Sequence, residues 1–342
     1  MTLESFELTR VLLLAAAAFM VALCWAPGLI RLLTRAGMSK AIRPSSEAPV
    51  FAKLHAKKAG TPTMGGILVW GTALILAVAL ASYPNPFDFL SRSQTLLPLG
   101  ALVACALVGF LDDYLNVKRL GAHGGGLRAR YRLLVYTAIA AVGAWWFYDK
   151  LDWDLLHVPF VGDFNVGLWY VPFFILVVAA TAFSVNEADG LDGLAGGSLL
   201  TSFGAFAVIS FSQGKYELAA LCGVILGALL AFLWFNIHPA RLFMGDTGAM
   251  ALGVTLGVVA MLTNSALLLP VIGFVFVLES ASVILQLTWR KLFRKKLFKS
   301  APFHHHLEAV GWPEPQIVMR LWVVSMVTAA LGVSLALLDA LT

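Results

Sequence analysis

Ten stretches of the chain are almost uninterrupted in apolar residues: 8–33, 61–82, 96–114, 131–148, 169–187, 196–212, 217–236, 246–263, 267–290 and 318–338. None alternates apolar with polar residues, as the roughly ten-residue strands of a membrane barrel would. Helices of about 20 residues cross a hydrocarbon core about 30 Å thick. The pattern therefore predicts an all-α, polytopic membrane protein, a single transmembrane domain over residues 1–342 with about ten spans. The tightest connection follows the eighth run, where Thr263-Asn264-Ser265 is the only polar break. Gly223/Gly227 and Gly253/Gly257 have the four-residue spacing that lets helices approach closely. Between the fourth and fifth runs, Leu156-His157-Val158-Pro159-Phe160, Gly162-Asp163 and Phe164-Asn165-Val166-Gly167-Leu168 predict a short hairpin outside the membrane.

Composition sharpens this picture. Apolar residues fill 60% of the 342 positions and charged ones 13%, which excludes a soluble enzyme, a disordered chain and a secreted disulfide scaffold. Cys24, Cys105 and Cys222 lie inside apolar runs without metal-ligand spacing and are expected to pack. Glu4 and Glu7 precede the first run where a cleaved leader would carry basic residues, so that run is expected to be a retained span.

The net charge of +5 says less than where the basic residues fall. Of 24 Lys and Arg, all but Arg10, Arg92, Lys150 and Lys215 lie in the connections that follow the odd-numbered runs or at the run ends that border them. Basic connections stay on the cytoplasmic side of a membrane. Both termini are thus expected outside, with the basic connections facing the cytoplasm.

The acids are equally one-sided. Asp112 and Asp113 end the third run, Asn186, Asp189 and Asp192 end the fifth, and Asp246 starts the eighth, all at the expected cytoplasmic face. Acids beside apolar helices cost several kcal/mol unless paired or hydrated, which marks them as candidates for function. On a helix, Asn186, Asp189 and Asp192 would form one polar ridge, and Gly190 and Gly193 would let a ligand or backbone approach. Adjacent Asp112 and Asp113 would point about 100° apart and take different roles. Asp192 or Asp246 taken singly would serve as a helix cap, and Asp112-Asp113 as a solvated helix end. Five acids gathered at one face suit a hard cation such as Mg²⁺, which takes one or two carboxylates with waters and phosphate oxygens.

Basic and small residues share that face. His55-Ala56-Lys57-Lys58-Ala59-Gly60-Thr61-Pro62-Thr63-Met64-Gly65-Gly66 runs from a basic connection into the second run, and Lys58, the Thr63 hydroxyl and the glycine amides suit a phosphate. A basic flank with a Pro-initiated helix is the plainer alternative. Gly121-Ala122-His123-Gly124-Gly125-Gly126 lacks the Gly-Lys-Ser/Thr ending of a P-loop and reads as a linker. In Pro302-Phe303-His304-His305-His306-Leu307-Glu308, consecutive imidazoles cannot easily turn onto one zinc ion, whereas they suit hydrogen bonds to a phosphate or sugar. Glu279 and Gln286 share one face of the ninth run, as an internal contact or part of a cleft wall. Together these residues propose an inward-facing, Mg²⁺-assisted site where a soluble nucleotide and a lipid phosphate meet. Phosphoryl transfer there depends on positioning and charge neutralisation.

Six motifs in this order carry a family resemblance: Gly60-Thr61-Pro62-Thr63-Met64-Gly65-Gly66, Gly109-Phe110-Leu111-Asp112-Asp113-Tyr114, Asn186-x-x-Asp189-Gly190-Leu191-Asp192-Gly193-Leu194-Ala195, Phe235-Asn236-Ile237-His238-Pro239-Ala240, Phe243-Met244-Gly245-Asp246-Thr247-Gly248 and Pro302-Phe303-His304-His305-His306-Leu307-Glu308. From about residue 20 to 340 the chain resembles the polyprenyl-phosphate N-acetylhexosamine-1-phosphate transferases, and among them the muramoyl-pentapeptide branch, which the first and last motifs distinguish. The resemblance implies ten helices, a homodimer in the bacterial cytoplasmic membrane, and Mg²⁺. It implies transfer of phospho-MurNAc-pentapeptide from UDP-MurNAc-pentapeptide to undecaprenyl phosphate, giving lipid I and UMP. Carried onto matching positions, Asp246 is the metal ligand and Asp112 the base toward the lipid phosphate, with Asp113 beside it. Lys58, Thr63, Asn186, Asp189, Asp192, Asn236 and Phe243 would line the nucleotide site, Phe243 as a stacking face for uracil. His305 and His306 would complete the sugar-phosphate side with Arg132 and Gln286 nearby, and His304 would be structural. Glu187-Ala188 stands where the family usually has Leu-Thr, Ala249 where Ser is common and Arg132 where Lys is usual. Arg132 keeps the charge and adds a bidentate fork.

Two other readings remain open on the sequence. Transfer from UDP-N-acetylglucosamine would use the same chemistry, though His304 to His306 oppose it. A secondary transporter would hold acids near the membrane midplane between inverted repeats, and no repeat is visible.

Overall fold

The computed structural model describes residues 2–39, 58, 60–82, 85–120 and 125–341. His55-Ala56-Lys57, Ala59 and Gly121 to Gly124 of the motifs above lie outside the described residues.

Each predicted apolar run lies on a helix: α1 (Leu3–Arg35), α2 (Gly66–Ala81), α3 (Leu96–Val117), α4 (Ala129–Trp145), α5 (Tyr170–Ala188), α6 (Leu194–Ser212), α7 (Tyr216–Asn236), α8 (Asp246–Leu262), α9 (Leu269–Ile272) with α10 (Phe274–Phe293), and α12 (Glu314–Asp339). A short α11 (Phe303–Val310) carries the histidines. Among the described residues, six helical segments are long and apolar enough to cross a membrane, beginning at Leu3, Leu96, Gly167, Leu194, Tyr216 and Glu314. The chain has the helices of an integral membrane protein. α2 and α8 are apolar but shorter, at 16 and 17 residues.

Two boundaries differ from the pattern. The second run becomes helical only at Gly66, because its start is tied to the segment before α8: Phe243 N donates to Pro62 O at 2.9 Å and Gly65 N to Phe243 O at 2.7 Å, and Met64 takes a left-handed turn at φ 71°. The ninth run breaks at Gly273, between α9 with Pro270 in its first turn and α10. The hairpin forms as the pattern predicts, β1 (Leu155–Val158) pairing antiparallel with β2 (Gly162–Asn165) and Leu156 facing Phe164. After α8, Asn264 takes the left-handed conformation that ends a helix sharply, at φ 51°.

The core is built on α7 and α8, which are buried along most of their length. The glycine pairs do what their spacing suggests. A Cβ at Gly227 would lie 2.0 Å from Ala15 O of α1, and one at Gly253 would lie 2.8 Å from Ala182 Cα of α5. Helices packed this closely gain dispersion contacts, which drive association where lipid tails remove the hydrophobic advantage. The result fixes the ends of α3, α5 and α8 against one another, and the acids sit at those ends.

Candidate active site

Two polar clusters form at one end of the bundle. The first gathers around Arg132, in the first turn of α4. Its Nε lies 2.8 Å from Asp112 Oδ2, and its Nη1 donates to Asn186 Oδ1 at 3.1 Å and reaches Asp246 Oδ1 at 3.5 Å. Asn186 Nδ2 in turn donates to Asp246 Oδ1 at 2.7 Å. Asp112 also accepts from Leu127 N, and a Cβ at Gly126 would lie 2.9 Å from Asp112 Oδ1. The end of the glycine stretch expected as a linker therefore folds over the carboxylate. Asp113 takes a separate role, as predicted: its Oδ2 accepts from Thr247 N at 3.0 Å.

Neither Asp246 nor Asp192 is a helix cap. The N-cap positions of α8 and α6 are Gly245 and Gly193, without side-chain cap bonds. The predicted ridge of Asn186, Asp189 and Asp192 is corrected, because α5 ends at Ala188 and Gly193, at φ 86°, turns the chain into α6. Asn186 consequently faces the first cluster and Asp192 the second.

That second cluster centres on the Lys58 ammonium, 2.6 Å from both Asp192 Oδ1 and Glu314 Oε1. Asp192 Oδ2 accepts from Ala240 N at 3.1 Å and lies 3.1 Å from His238 Nδ1. Asn236 supports the turn from below, accepting from Gly193 N at 3.0 Å and donating to Leu242 O at 2.8 Å. Lys58 stands 5.9 Å from the Phe243 ring centre, and Phe243 leads within three residues to Asp246, so one short segment joins the clusters. Sequence reasoning missed Glu314, a lone acid between prolines at the start of α12, and gave His238 no role.

The anion cradle expected from Gly65 and Gly66 is corrected. Their amides donate to Phe243 O and Met244 O at 2.7 and 2.8 Å, so backbone pairing consumes them. Thr63 fits better: its buried hydroxyl has no hydrogen-bond partner among the described residues, and it lies beside Gly245 and Asp113.

The three histidines face three different partners. His304 is fully buried, its Nδ1 3.0 Å from Glu279 Oε2, while its Nε2 meets Gly190, where a Cβ would come within 2.2 Å. That contact docks α11 on the 189–193 turn and makes both His304 and Glu279 structural. His305 Nδ1 lies 2.6 Å from Glu308 Oε2, and His306 Nδ1 accepts from Lys299 N at 3.2 Å. Gln286 holds the adjoining turn, accepting from Leu297 N and Phe298 N at 3.0 and 2.9 Å. Asp189 lies at the C-terminal end of α5, between the clusters in sequence.

The donor chemistry discriminates between possible cation sites. Asp192, His238 and Glu314 offer ligand atoms within 4.8 Å of one another, but one is an imidazole nitrogen and Lys58 already supplies the charge. The first cluster offers carboxylates and an amide oxygen, with one guanidinium against Asp112 and Asp246. Hard oxygen donors with residual negative charge fit Mg²⁺.

Comparison with known proteins agrees with the six motifs. The model of Glycosyl transferase family 4 matches residues 95–264, and the phospho-N-acetylmuramoyl-pentapeptide-transferase signature 1 matches residues 58–68. A protein of Chloroflexus aurantiacus named phospho-N-acetylmuramoyl-pentapeptide-transferase is 40% identical over 97% of this chain and 91% of its own length. Proteins of the same name from a Geobacillus species and from Clostridium novyi are 39% and 37% identical, each over 92% of this chain and at least 93% of their own.

Proposed function

Because the chain belongs to the phospho-N-acetylmuramoyl-pentapeptide-transferase family, we propose that it transfers phospho-MurNAc-pentapeptide from UDP-MurNAc-pentapeptide to undecaprenyl phosphate, forming lipid I and UMP in bacterial peptidoglycan synthesis. One observation carries the reading: Asp112, Arg132, Asn186 and Asp246, from four helices, meet in one cluster of ion pairs and hydrogen bonds, and a short segment joins it to a lysine that suits a nucleotide phosphate.

The lipid phosphate oxygen attacks the donor phosphorus that bears the sugar, and the bond from that phosphorus to the UMP oxygen breaks. Asp246 would hold Mg²⁺, which when bound would supply charge neutralisation for the pyrophosphate. Asp112 takes any proton remaining on the lipid phosphate, a modest task because the second pKa of such a monoester is about 6. Asp113 and Thr63 flank the metal side, and Arg132 balances the carboxylates. Lys58, Asn186, Asp189 and Asp192 hold the nucleotide, with Asn236 supporting the Gly193 turn beneath them and uracil against Phe243. His305 and His306 serve the sugar-phosphate side, with Gln286 bracing the Leu297–Phe298 turn beside them.

The enzyme works as a homodimer in the bacterial cytoplasmic membrane, with ten spans, both termini outside and the clusters at the cytoplasmic face. The placement of 20 of 24 Lys and Arg supports that orientation. Mass spectrometry of the product tests the reaction. Undecaprenyl-pyrophosphoryl-MurNAc-pentapeptide is expected, and a product carrying N-acetylglucosamine would overturn the donor assignment.

A further inference from the structure

Glu314 is the member of the second cluster that lies outside every motif, and it comes from the last helix. An acid in the first turn of a helix ordinarily serves the helix dipole, yet Glu314 makes no capping bond to α12. Its Oε1 accepts instead from Asp192 N at 2.7 Å and from Lys58 Nζ at 2.6 Å, and its Oε2 lies 3.6 Å from His238 Nδ1. The carboxylate is 11% exposed. Lysine is a point charge on a flexible four-carbon stem, so its value to a phosphate depends on what fixes it. Asp192 and Glu314 grip one ammonium, while the backbone bond from Asp192 to Glu314 fixes the grip itself.

We infer that Glu314 is a positioning residue for the donor nucleotide: it holds the Lys58 ammonium and the Asp192 turn in place and thereby ties α12 to nucleotide binding. The inference rests on the reading of Lys58 as a nucleotide-binding residue. Glutamine at 314 keeps the acceptor for Asp192 N but removes the charge that holds Lys58. Without Lys58, Glu314 and Asp192 would face each other with no ammonium between them, so removing the Glu314 charge there should cost nothing or help.

The experiment uses the purified full chain in lipid nanodiscs, with UDP-MurNAc-pentapeptide as calorimetric probe and melting of the ligand-free protein as second readout. Glu314→Gln is expected to weaken donor binding about tenfold, a coupling within the range seen for contacting residues, with the loss in KM rather than kcat. Its melting deficit should vanish or reverse in the Lys58→Ala background. Unchanged donor affinity in Glu314→Gln, or an equal melting deficit in both backgrounds, would overturn the inference. Glu314→Asp, which keeps the charge on a shorter stem, should give a smaller loss of the same kind and serves if the Gln variant does not fold. Absence of donor binding by the unaltered protein would instead overturn the functional reading beneath it.

Discussion

Asn186 and Asp246, sixty residues apart, are joined by a 2.7 Å hydrogen bond from the amide nitrogen to the carboxylate. The bond fixes one oxygen of Asp246 against α5, on the proposed metal ligand. Asp246→Asn keeps the size of the side chain and removes its charge. UMP formation is expected to fall by about 10²–10³-fold, the scale of losing one electrostatic stabiliser, with the melting temperature little changed. An active Asp246→Asn enzyme would sink the metal role.

Arg132 holds Asp112 and Asn186 with different nitrogens of one guanidinium. Lysine keeps the charge but not the fork, and Arg132→Lys should retain activity within about tenfold. Arg132→Gln leaves the fully buried Asp112 without its cation and should destabilise the protein, by less than the roughly 3–5 kcal/mol of a fully buried pair because the Arg132 side chain is 26% exposed. Thermal unfolding of the two variants separates them, and equal stability would contradict the pairing.

Gly245 adopts φ 73°, and a Cβ there would lie 2.5 Å from Asp113 Oδ2 and 2.8 Å from Thr63 Oγ1. Gly245→Ala should therefore push Asp113 and Thr63 aside, abolish lipid I synthesis and lower the melting temperature. A fully active alanine variant would show that the neck of the site is looser than this packing requires.

Much of this site was legible because its residues border apolar runs, where an acid stands out. Asp112, Asn186 and Asp246 interrupt sequences that otherwise bury themselves, and Asp113 diverges from Asp112 as helix geometry demands. Glu314 was not legible, since an acid opening a helix is ordinary and its partner Lys58 lies 256 residues away. Gly65 and Gly66 misled for a physical reason: glycine amides that could cradle a phosphate pair equally well with another backbone, and the carbonyls of Phe243 and Met244 take them. The break at Gly193 is likewise a backbone choice that regular spacing of three cannot reveal.

The hairpin carries a pH-sensitive clasp. His157 Nδ1 lies 2.7 Å from Asp163 Oδ1, and its Nε2 lies 2.5 Å from Asp339 Oδ2 at the end of α12. Burial disfavours the charged imidazolium, but the hydrogen bonds to Asp339 and Asp163 outweigh it and raise the His157 pKa. A raised folded-state pKa contributes stability that is fully present below the unfolded value of about 6.5 and is lost as pH rises through the folded one. The melting advantage of the natural protein over His157→Gln should thus shrink across that window as pH increases. An advantage that grows with pH would contradict the clasp.

The most direct measurement is UMP release by the purified protein given undecaprenyl phosphate, Mg²⁺ and, in parallel, UDP-MurNAc-pentapeptide or UDP-N-acetylglucosamine. Release with the muramoyl donor alone, abolished by chelation and restored by Mg²⁺, is the predicted result. Release with the glucosamine donor alone, or none with either from a folded protein, would contradict it.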